Sequence, residues 1–145
     1  MTQPTPTDDH RLGLTVTHRR YVSHHDAHYA GDLVDGAYTL GLFGDVATEV
    51  CIRTDADEGL FVAYDSVEFL APVRAGDVIE ATAEVTRVGR RSRQLRLSAV
   101  VTCRSAGRSD QPSAAGVLEP PMEVARAVGT VVVPGAGAEP APQTQ

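Results

Sequence analysis

A chain of 145 residues with 42% hydrophobic composition suffices for one domain with an ordinary core. The formal net charge is −6, lysine is absent and the arginines are scattered, so a nucleic-acid partner is not expected and Schiff-base catalysis by a side-chain amine is excluded. There is no run of about 18 apolar residues and no signal-peptide layout in Met1–Asp9, so the expectation is a cytoplasmic protein without a membrane partner.

Residues 1–11, polar and proline-bearing, and the low-complexity residues 134–145 read as disordered tails around a single domain over 12–133. Leu12–Val22 reads as the first strand. Next comes a segment from Ser23 to Ala37 that gathers His24, His25, His28, Asp26, Asp32, Asp35, Gly31 and Gly36 just ahead of a helix. From Gly36 to about Arg53, Leu40, Phe43, Ala47 and Val50 recur at spacings of three and four, the mark of a helix burying one face, with Asp35 as its N-cap. Gly41 and Gly44 each cost that helix about 1 kcal/mol against alanine, so another element is expected to pack closely there.

After the acidic turn Asp55–Gly59, Leu60–Leu70 reads as a strand, interrupted at Ala71-Pro72 and followed by a turn at Ala75-Gly76-Asp77. Ile79, Ala81, Ala83 and Val85 alternate with polar residues, as do Leu95, Leu97, Ala99, Val101 and Cys103. These are two antiparallel strands joined through Gly89-Arg90-Arg91-Ser92. Residues 105–121 read as a Ser/Gly/Pro-rich loop, and Val124–Val133 as the last strand. Cys51 and Cys103 lie in apolar runs and are expected to be buried free thiols. This order predicts an α+β architecture, a five-stranded antiparallel sheet wrapped around one long helix, with an uncovered edge that favours a homodimer or higher oligomer.

Three local patterns carry a resemblance: Asp26-Ala27-His28 through Gly36, Val67-Glu68-Phe69-Leu70-Ala71-Pro72-Val73-Arg74-Ala75-Gly76-Asp77, and Val88-Gly89-Arg90-Arg91-Ser92. Together, over roughly residues 12–104, they resemble the hotdog fold of acyl-thioester enzymes. The first pattern, followed by Leu42–Glu49, is similar to the branch containing 3-aminobutyryl-CoA and β-alanyl-CoA ammonia lyases and its thioesterase relatives in secondary metabolism. Many hotdog thioesterases carry an acid one and a half to two turns into the helix. Here that place falls on Gly44, with Asp45 rotated by about 100°.

The resemblance implies a thioester substrate carried on coenzyme A or the phosphopantetheine of an acyl carrier protein, and no cofactor besides. Every reaction of such a substrate places negative charge on the carbonyl oxygen, which makes the Gly36 N–H at the helix start the candidate oxyanion donor. His28, whose residue type exchanges protons near neutral pH, is the candidate general acid/base. Asp35 is either a cap or a carboxylate that orients His28 or holds an ammonium. Glu49, one helical turn beyond Asp45, is a further candidate, either catalytic or at a solvated helix edge. Tyr29 and Tyr64 are candidates to contact the substrate or to pack structurally. Arg90 and Arg91 beside Ser92, with neighbouring Arg93, are candidates for its phosphates or plain surface charges. His24 and His25 read as solvated bystanders, and no metal site is expected. Three activities remain open: addition or elimination of an amine at the β-carbon, with or without hydrolysis; plain thioester hydrolysis; and noncatalytic acyl binding.

Overall fold

Alternation of small apolar and polar residues builds the centre of the molecule. In the computed structural model, which describes residues 9–135, β3 (Val78–Val88) and β4 (Ser92–Ser105) pair antiparallel and bury Ile79, Ala81, Ala83, Val85, Leu95, Leu97, Ala99 and Val101 on one face. The sheet is completed by β1 (Thr15–Tyr21), β2 (Leu60–Phe69) and β5 (Ala115–Val132) in the spatial order β1-β3-β4-β5-β2. Its buried face receives a 20-residue helix, α1 (Gly36–Asp55), through Leu42, Phe43, Val46, Ala47, Val50 and Cys51. Full burial of an aliphatic or aromatic side chain contributes about 1.5–3 kcal/mol, so this stripe holds helix and sheet together.

The expected helix, the sheet and its wrapped arrangement are all present. The helix face differs in detail, because Leu40 is only half-buried while Leu42 and Val46 lie in the core. Part of the expected loop at 105–121 is strand. Residues 115–117 pair with 103–105, and pairing lapses between Val117 and Met122, where Pro120 and Pro121 cannot donate to a ladder. Of the two expected tails, residues 1–8 and 136–145 lie outside the described residues. Residues 9–11 belong to a turn in which Arg11 bonds Asp9 and Asp55.

The two ends of the sheet are built around buried ion pairs. At the C-terminal end of α1, the Arg93 guanidinium is fully buried and gives a two-pronged contact to Asp55, at 3.1 and 2.7 Å. It also donates to the carbonyls of Gly89 and Ser92, which ties down the β3–β4 hairpin. Arg93 is therefore structural, a correction to its reading as a phosphate contact. Cys51 is buried nearby, and burial first, then the Asp55 charge, pushes its thiol up to about 11. Cys103 is only half-buried, against the expectation.

Candidate functional site

Between β1 and α1 the chain makes a single 3-10 turn at His24–Asp26 and then doubles back on itself. The carbonyl of Leu33 accepts the N–H groups of both His28 and Tyr29 at 2.9 Å, closing a tight loop in which Gly31 and Asp32 adopt φ of 78° and 61°. This brings His28 beside Asp35, next to a cleft but not among its walls. The second loop, residues 72–77, lies alongside: Val34 donates to the Val73 carbonyl at 3.0 Å, and Ala75 donates to the Asp32 carbonyl at 2.8 Å. The cleft between them and the helix has a volume of about 530 Å³, with Tyr29, Asp35, Gly36, Thr39, Phe69 and Pro72 among its walls.

Asp35 resolves a choice that sequence left open, because its two oxygens do different things. Oδ1 accepts the Tyr38 N–H at 3.1 Å and caps the helix, while Oδ2 lies 3.7 Å from His28 Nδ1. Cap and histidine neighbour are one carboxylate. The first N–H groups of a helix have no intrahelical acceptor, and no hydrogen bond within the described residues uses those of Gly36 and Ala37. The helix start thus offers backbone donors to the cleft. Gly36 also permits a close approach: a Cβ there would come within 2.7 Å of the Phe69 ring, which would have to move. His28 is more than half exposed, with its ring edge-on to Tyr29 at a centroid distance of 4.7 Å.

The other candidates lie elsewhere. Glu49 sits about 20 Å further along the helix axis from Gly36 and bonds His18 Nε2 and Arg53 Nε, both at 2.8 Å. Those bonds, Arg53 first, hold its carboxyl below the usual range. Asp45 faces the β1 edge, 3.6 Å from Arg20. Tyr64 packs on Phe61 with ring centroids 4.4 Å apart, and burial pushes its phenol up. It borders a separate groove of about 430 Å³ with Leu40, Gly41 and Gly44. Within the chain nothing comes within 4 Å of a Cβ placed at either glycine, so the close neighbour expected there is absent among the described residues. Arg90 and Arg91 are exposed and Ser92 half-buried at the hairpin, roughly 25 Å along β5 from the Val124 wall of the cleft. His24 and His25 are exposed.

Of the cleft's lining residues, only Tyr29, Asp35 and Gly36 are singled out by the sequence; Thr39 and Phe69 are the most informative of the rest. Thr39 is one turn beyond Gly36, hence on the same helix face, and that spacing was a usable signal. Phe69 comes from the end of β2, and no local pattern ties it to Gly36.

A family model described as the thioesterase superfamily matches residues 33–106, just over half the chain. Over 115 residues the chain is 55% identical to a 3-aminobutyryl-CoA ammonia lyase of Acetoanaerobium sticklandii, covering 78% of this chain and 89% of that protein. The chain belongs to the thioesterase superfamily. Among solved structures of the superfamily, the β-alanyl-CoA:ammonia lyase of Clostridium propionicum matches with a TM-score of 0.83 at 33% identity, over 92% of this chain and 93% of that one. A hexameric hotdog-fold thioesterase of Campylobacter jejuni matches at TM-score 0.66 and 17% identity over 87% of each chain, a likeness of fold alone. The resemblance to the hotdog fold and to its ammonia lyase branch is borne out.

Proposed function

We propose that this chain is an ammonia lyase acting on β-amino acyl thioesters of coenzyme A, eliminating the amine to the α,β-unsaturated thioester or adding it in reverse. Identity to the lyase of Acetoanaerobium sticklandii supports the reaction class. Against hydrolysis, the family resemblance puts the usual hydrolytic acid at Gly44, and the neighbouring Asp45 is turned toward Arg20 at the β1 edge.

In this reading the substrate carbonyl lies at the helix start, where the Gly36 N–H accommodates charge that develops as the α-carbon loses its proton. His28 takes that proton. The C–N electron pair leaves with the nitrogen, and the proton passes from His28 to the departing amine, so elimination is balanced without an oxidant or a metal. Asp35, whose Oδ2 lies 3.7 Å from Nδ1, orients the imidazole. Tyr29 walls the cleft on the His28 side. No cofactor beyond the thioester carrier takes part; an acyl carrier protein in place of coenzyme A would present the same pantetheine arm.

The edge strand β2 exposes Leu60, Val62 and Phe69, a surface suited to a second copy. Antiparallel, two-fold pairing of β2 with its copy lays the Leu60 end of one strand beside the Phe69 end of the other. That arrangement carries the partner's Arg90, Arg91 and Ser92 toward this cleft, which the same hairpin of one chain cannot reach. It also lets the second copy cover Gly41 and Gly44.

The test is incubation of the protein with 3-aminobutyryl-CoA and β-alanyl-CoA, and with crotonyl-CoA plus ammonia or glycine, following enoyl absorbance, adduct mass and free thiol. Amine-dependent interconversion without thiol release is the expected result. Thiol release with no amine-dependent adduct would establish a thioesterase instead, and ligand binding without turnover would establish an acyl-binding protein.

A further inference from the structure

The second buried ion pair stands beside the cleft. Asp77 ends a turn in which its own N–H returns to the Arg74 carbonyl at 3.0 Å and Gly76 has a φ of 88°, the signature of a type II turn. Its side chain is fully buried. Oδ2 accepts the Arg74 N–H at 2.8 Å, and the Arg104 guanidinium meets both oxygens, at 3.0 and 2.8 Å. The same guanidinium donates to the Pro72 carbonyl at 2.8 Å. One side chain on β4 thereby holds both ends of the 72–77 loop.

That loop is what the His28 segment hangs on. Val73 and Ala75 bond Val34 and Asp32, and Leu33 bridges to Arg74 on one side while its carbonyl holds His28 and Tyr29 on the other. Val34 directly precedes Asp35 and Gly36. A buried ion pair is often no more stabilising than apolar packing of similar volume, because desolvation offsets the attraction. A planar fork with five donors fixes geometry in a way that apolar packing does not.

We propose that Arg104 and Asp77 are positioning residues for the chemistry at the cleft. Their clamp sets the 72–77 loop, and through it the separation of His28 from the Gly36 N–H. The proposal rests on the lyase reading for the identity of the reaction, but the clamp itself is tested independently of it.

The decisive comparison is Arg104→Lys, which cannot span Asp77 and Pro72 together, against Arg93→Lys, the same change in the buried pair at the far end of the sheet. A double variant, Asp77→Asn with Arg104→Gln, leaves no unpaired buried charge and serves if Arg104→Lys does not fold. Arg104→Lys or the double variant is expected to lower kcat about tenfold with KM within about twofold, since small misplacements at a reacting centre are costly. Amide exchange at Val34 and Ala75 should quicken in the same proteins while core β3 and β4 amides stay protected. Arg93→Lys, which loosens the distant hairpin instead, should leave those two amides unchanged. Retention of kcat in a folded clamp variant, or unaltered exchange at Val34 and Ala75, would overturn the proposal. If the protein hydrolyses rather than eliminates, the lyase reading fails, and the same comparison of kcat and exchange on hydrolysis still decides the clamp.

Discussion

The two ends of the sheet use one device for different purposes. At the hairpin end, Arg93 and Asp55 are sealed against each other under the C-terminus of α1. At the cleft end, Arg104 and Asp77 hold a loop, and beyond that loop lie an exposed histidine, a half-exposed carboxylate and backbone donors with no partner among the described residues. The lesson is that buried charge alone does not mark a reactive centre. What distinguishes the cleft end is a histidine, a carboxylate and helix-start donors gathered beside one cavity.

Substitutions can break this contrast, beginning with the greatest effect. His28→Asn is expected to lower kcat by roughly 10²–10⁴, the usual range for a lost general acid/base, without changing thermal stability, because the ring is largely exposed. Steady-state kinetics beside a melting curve would check it. Gly36→Ala places a methyl group against the Phe69 ring and shifts the walls of the cleft. A loss of about 10² in kcat/KM with native circular dichroism is expected.

The smallest effect belongs to the hairpin end and concerns acid. Burial tends to raise the Asp55 carboxyl, but hydrogen bonds from Arg93 and Thr54 outweigh it and hold the group below its ordinary value of 3.8. A carboxylate depressed in the folded state stabilises fully above its unfolded pKa. That contribution is lost as pH falls through the folded pKa, below about 3.8. Asp55→Asn should therefore cost roughly 1–3 kcal/mol near neutral pH and flatten the acid limb of the stability curve, leaving kcat intact; urea titrations between pH 7 and 3 would measure it.

The sequence made some of this readable and hid the rest for physical reasons. Strands β3 and β4 are legible because both keep strict alternation, and α1 because its apolar spacing follows the helical repeat. Strand β2 is not legible residue by residue. Val62 and Asp65 are extra residues where pairing with β5 slips, so its half-buried positions are Phe61, Tyr64 and Val67, three apart rather than two. At the site, the nearness of His28 to Asp35 is local and was open to inference from the glycines and aspartates between them. The burial of Arg93 was not, since its partner lies 38 residues away and arginines at hairpins are usually solvated. The reach of Arg104 to Asp77 and Pro72 is likewise a tertiary fact, hidden in an unremarkable arginine at the end of a strand.

The shared carboxylate of Asp35 has a consequence for how such a protein changes over generations. Asparagine caps a helix about as well as aspartate, so replacing Asp35 with asparagine leaves folding nearly untouched while removing the charge beside His28. Selection for a folded chain therefore does not preserve that charge, and only selection for turnover can. On the proposed role of Asp35, a lineage released from the reaction is free to lose the carboxylate while keeping its shape.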